Sequence, residues 1–122
     1  MAENELSPQL QDQINRLQQL RSQVQMIMQQ RQQVEIKHRE VTEALEELDK
    51  TDAKTPVYKS VGAVLIKTKG KTGLIKELKE EQESLSVRKT TLEKQEARSR
   101  EKMTELQSKL QNALKLSNLS EA

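Results

Sequence analysis

From Leu10 to Leu48 the apolar residues Leu10, Leu17, Leu20, Val24, Ile27, Val34, Val41, Leu45 and Leu48 fall on one ladder of alternating three- and four-residue steps. Gln13, Arg31 and His38 fill its remaining rungs. A seam held that long predicts a coiled-coil helix rather than a helix of a globular core. Ser7-Pro8 is a start signal, since Ser caps a helix and Pro suits its first position. Asp49-Lys50-Thr51-Asp52 ends it, so the first helix spans about residues 8–50.

A second ladder runs through Ile75, Leu78, Leu85, Leu92, Met103, Leu106, Leu110 and Ala113, with Gln82, Lys89, Glu96 and Ser99 between. A frame through Leu74 and Glu81 collects fewer apolar residues. The helix is expected over about 72–117, with the Thr72 hydroxyl as its cap. Set antiparallel, the ladders match when paired residue numbers add to 123, which puts Leu48 with Ile75, Val24 with Ser99, Leu17 with Leu106 and Leu10 with Ala113. Every layer then keeps an apolar member, and Arg31 could reach Glu96 diagonally. At 1.5 Å per residue, helices of roughly 40 residues make a coil about 60 Å long, with both termini at the end remote from the central segment.

That central segment breaks the helical pattern. Pro56 excludes a helix interior and biases Thr55 towards extended geometry. Two β-branched runs follow, Val57–Val61 and Val64–Thr68, separated by Gly62-Ala63. Gly tolerates positive φ at the first position of a two-residue turn, so the pair predicts a β-hairpin over about 56–69. The fold class is therefore dominated by α-helix with one β-hairpin: a long antiparallel two-helix coiled coil with the hairpin at its centre. A lone hairpin is marginal in water. Its open edges call for strands from other chains, with Val57, Tyr58, Val61, Gly62, Val64, Leu65 and Ile66 as the assembly residues.

Composition sharpens this. Tyr58 is the one aromatic residue, and Phe, Trp and Cys are absent, which is a poor inventory for an enzyme's core. Periodicity and a net charge of only +2 argue against disorder of the whole chain. Without Cys there is no disulfide framework or thiolate metal site. The start, MAENELSPQ, has no signal-peptide core and no run is long and apolar enough for a membrane, so a soluble cytoplasmic protein with no membrane partner is expected.

Catalytic chemistry is not found. Gly70-Lys71-Thr72 resembles the end of a phosphate loop, but Leu65 stands where the upstream glycine belongs. His38 lies on the seam and reads as a packing residue, with a ligand or pH role as the alternative. Glu46-Glu47 and Glu80-Glu81 lie on solvated faces. No catalytic, cofactor or metal residue is expected, and no cofactor. Residues 51–73 hold five lysines (Lys54, Lys59, Lys67, Lys69 and Lys71) against one aspartate. This basic patch permits phosphate binding, but lysines on strand edges also guard against aggregation. Without an arginine cluster or stacking aromatics, no nucleic-acid partner is expected. A nucleic-acid-binding arm and a plain coiled-coil scaffold stay as rival readings.

Several apolar residues lie off the ladders or at their free end: Leu6, Leu10, Ile14, Leu110, Leu114, Leu116 and Leu119, with Met26, Met28 and Ile36 further along. The end group suggests an adaptable apolar binding surface.

The segments Pro56–Gly62 and Val64–Lys67, with Ala44–Leu48 before them and Leu85–Arg88 and Leu92–Glu96 after, resemble β-type subunits of the archaeal prefoldin family over nearly the whole chain. The V-Y-K-x-V-G stretch is the specific part, and a single hairpin favours the β type over the two-hairpin α type. The resemblance implies a hexamer of two α and four β subunits, whose hairpins form a double β-barrel bearing six coiled coils. It also implies an ATP-independent chaperone that captures unfolded proteins at the coil tips and passes them to a group II chaperonin; the apolar end group of Leu6, Leu10, Ile14, Leu110, Leu114, Leu116 and Leu119 is the surface expected to take the client there.

Overall fold

A computed structural model gives the fold; the residues described are 7–121, with side chains to residue 116. The order is α1 (Pro8–Asp49), β1 (Tyr58–Val61), β2 (Val64–Lys67) and α2 (Lys71–Glu121). The chain divides into two compact units, one of Met1–Arg31 with Leu92–Ala122 and one of Gln32–Thr91. Each contains a stretch of both helices.

In the first unit α1 opens as its sequence dictates. The Leu10 amide donates to the Ser7 hydroxyl at 3.2 Å and the Gln11 amide to the Ser7 carbonyl at 2.9 Å. Ser7 thus satisfies an otherwise orphaned donor, and Pro8 takes the position where no donor is needed. Val24, Leu92 and Leu110 are buried, and Leu10, Leu17, Leu20, Ile27, Ser99, Met103, Leu106 and Ala113 are half-buried. The three-four ladder is therefore the covered stripe of both helices here.

The second unit holds the hairpin and the helix ends that flank it. Val34, Val41, Leu48 and Leu74 form its buried apolar set. His38 hydrogen-bonds the Ser86 hydroxyl at 3.0 Å, and the Gln82 amide donates to the Thr42 hydroxyl at 3.0 Å. Both contacts sit one residue from the predicted layers, His38 with Leu85 and Val41 with Gln82. The polar rungs of the seam are thus met by hydrogen bonds at its flanks.

Two details differ from expectation. Helix α2 begins at Lys71, one residue early, so Thr72 lies inside the first turn. Thr68 organises the entry instead: its hydroxyl donates to the Val57 carbonyl at 2.9 Å and accepts from the Gly70 amide at 3.3 Å, while Gly70 turns the chain at φ +131. Leu74, from the discarded frame, is buried whereas Ile75 is half-buried. The cause is Lys71. Its ammonium donates to the Leu48 and Thr51 carbonyls at 3.4 and 2.5 Å, placing a cation on the carbonyl end of α1. Leu74, three residues on, shares that inward face.

Candidate assembly and client-binding surfaces

The hairpin follows from its turn. Gly62 has φ +59 and Ala63 does not take positive φ, the φ pattern of a type II′ turn, whose twist matches that of paired strands. The register pairs Val61 with Val64, Ser60 with Leu65, Lys59 with Ile66 and Tyr58 with Lys67. Val57 and Thr68 close the open end through the Thr68 amide at 2.9 Å.

Opposed residues share a face of the ribbon. One face therefore carries Lys59, Val61, Val64 and Ile66, and the other Tyr58, Ser60, Leu65 and Lys67. Both are apolar and both are uncovered: Tyr58 is 56%, Val61 49%, Val64 59%, Leu65 70% and Ile66 50% exposed. Val57 is half-buried and Gly62 exposed. Large apolar side chains grouped on both sides of an unextended two-stranded sheet are the mark of an interaction surface.

The second surface was expected at the helix ends. Leu114 and Leu116 are 41% and 66% exposed. Leu10 and Ile14 are half-buried, and Leu110 is buried, packed in the seam as its rung requires. Leu6 lies outside the described residues, as does the side chain of Leu119. Of the off-ladder residues further along, Met26 and Ile36 are exposed, and Met28 is half-buried with its sulfur accepting from Arg100 at 3.8 Å. Val87, 60% exposed, was missed by the sequence reading. It lies off the ladder, between the rungs Leu85 and Lys89, on the side of α2 that the ladder marks as solvent-facing.

The lysines divide by role. Lys59 makes an ion pair with Glu77, and Lys71 caps α1. Lys54, Lys67 and Lys69 remain exposed on the surface. Two of the five cations of the basic patch are thus spent on structure.

Two long helices joined by one hairpin, with apolar strands left uncovered, place the chain in the class of hairpin-bearing coiled-coil subunits. Comparison with known proteins agrees. The profile of the family described as "Prefoldin subunit" matches residues 11–116. Similar sequences include prefoldin subunit beta of Archaeoglobus fulgidus, 50% identical over 90% of this chain and 94% of the relative, and that of Thermoplasma volcanium, 38% identical over 88% and 86%. The crystal structure of the prefoldin beta subunit from Thermococcus strain KS-1 superposes with a TM-score of 0.79 at 37% identity, covering 90% of this chain and 96% of that one. The chain belongs to the prefoldin family, as a β-type member. It is a chaperone subunit that works with other prefoldin subunits, and it is not an enzyme. Among the described residues no helix is long and apolar enough to cross a membrane.

Proposed function

We propose that this chain is the β subunit of a cytoplasmic hexamer of two α and four β chains, an ATP-independent holdase that captures unfolded proteins and transfers them to a group II chaperonin. The hairpin residues Val57, Tyr58, Val61, Gly62, Val64, Leu65 and Ile66 are the assembly surface, building a β-barrel with strands of neighbouring subunits. The helix-end residues Leu6, Leu10, Ile14, Leu110, Leu114, Leu116 and Leu119 take the client. Leu110 becomes available when the last turns open, which costs little at a helix end.

The observation that carries the reading is the exposure of Tyr58, Val61, Val64, Leu65 and Ile66 on both faces of a two-stranded sheet. A hairpin so uncovered is marginal by itself, so its stability calls for further strands. Assembly in turn brings several weak client-binding ends to one substrate, and avidity then replaces strong contacts at any one of them.

The test is to dilute a chemically unfolded protein into the assembled complex, follow light scattering, and then add a group II chaperonin. Suppressed aggregation followed by recovery of native substrate is expected. A plain scaffold would leave aggregation unchanged. A nucleic-acid-binding arm would instead give RNA or DNA binding that falls steeply with salt.

A further inference from the structure

One flank of the helix pair carries a groove of about 340 Å³ near the hairpin end of the second unit, lined by Thr42, Leu45, Glu46 and Asp49 of α1 and by Ile75, Lys79 and Gln82 of α2. Leu45 and Ile75 are half-buried and supply an apolar floor, while Glu46 and Asp49 are exposed on its rim. The hairpin offers the counterpart. Its Tyr58, Ser60, Leu65 and Lys67 face has an apolar centre and a basic end, continued by exposed Lys69. The opposite face is the one whose Lys59 pairs with Glu77 of its own α2. Tyr58 and Leu65, 56% and 70% exposed, are thus left uncovered by their own chain.

We infer that the Tyr58–Leu65–Lys67 face of one hairpin seats in the Leu45–Ile75 groove of a second copy of this chain, with Lys67 and Lys69 against Glu46 and Asp49. This rests on the hairpin being the assembly surface and specifies what covers its second face. Charge complementarity selects the occupant: Glu46, Asp49, Lys67 and Lys69 have no ion partner among the described residues. An acid-rimmed apolar groove and a base-rimmed apolar face on the same chain make two different, mutually complementary patches, the basis of a heterologous contact. Lys79, the cation on the groove's rim, is accommodated by the π-face of Tyr58.

The test uses the oligomer formed by the full chain from a mixture of isotopically light and heavy copies. Coupling of amines to carboxylates with a carbodiimide, followed by mass spectrometry, should give light–heavy linked peptides joining Lys67 or Lys69 to Glu46 or Asp49. Lys67→Glu with Lys69→Glu should weaken self-association by about tenfold, two partly screened ion pairs being at stake, and Glu46→Lys with Asp49→Lys should restore it. Circular dichroism checks that each variant keeps its helices. An oligomer that forms without these inter-chain links and ignores the charge reversal overturns the groove contact while leaving hairpin assembly standing. A wild-type chain that stays monomeric, or joins only a different subunit, overturns the second copy as occupant; if Ile66→Pro is then also without effect on any complex, hairpin assembly falls with it.

Discussion

Both the Nε and the Nη2 of Arg31 donate to a single oxygen of Glu96, at 3.3 and 3.2 Å, in the middle of a mostly apolar ladder. The two side chains are 22% and 14% exposed, and Arg100 approaches the same oxygen at 3.8 Å. Placing charge on the seam sacrifices hydrophobic contact but fixes which rungs of the two helices stand opposite, because a shifted register would leave a half-buried charge unpaired.

That account makes a mutational prediction. Glu96→Ala should lower stability by about 1–3 kcal/mol, since it removes the part-buried carboxylate oxygen to which both Nε and Nη2 of Arg31 donate. Arg31→Leu with Glu96→Leu should be at least as stable as the wild type, because an apolar layer replaces the ion pair. Thermal unfolding followed by circular dichroism checks both, and a double variant less stable than the wild type would show that the pair contributes more than packing can replace.

The register itself can be probed chemically. Cysteines at Val24 and Ser99, or at Leu17 and Leu106, should cross-link efficiently within one chain, since both pairs belong to predicted layers of the first unit. Efficient linkage only at pairs displaced by a heptad would refute the alignment.

Assembly through the hairpin is tested at its turn and its ladder. At φ +59, Gly62→Val puts a β-branched side chain where L-residues are strained, at a cost of about 1–2 kcal/mol. Ile66→Pro removes a backbone donor from the ladder. Sedimentation velocity should show smaller particles for both, with helical content largely kept. Unchanged size in both variants would rule out the barrel.

If the helix ends capture the client as proposed, trimming residues 1–14 and 110–122 should keep the oligomer and abolish its ability to hold a denatured protein. If a trimmed, correctly assembled variant still holds clients in full, the binding surface must be sought along the helices instead, around exposed Met26, Ile36 and Val87.

Most of the architecture was legible in the sequence because it depends on local rules. The three-four ladder identifies the covered stripe of each helix, and Val24, Val34, Val41, Leu48, Leu92 and Leu110 are buried where it puts them. Ser7-Pro8 starts α1 and Gly62 makes the turn, since capping and positive φ are properties of single residues. Even the reach of Arg31 to Glu96 follows from matching two ladders. What only the tertiary structure decided lies where the ladders stop. Lys71 looked like one more surface cation beside the hairpin, yet it caps the carbonyl end of α1, and Leu74, from the discarded frame, is buried. Thr68, rather than Thr72, organises the entry to α2. Ile14 and Leu114 look alike as off-ladder residues, but one is half-buried and the other exposed. Periodicity reports the direction of a side chain about its own helix axis; how much of it is covered depends on which neighbour the chain brings alongside, and that is a property of the folded molecule.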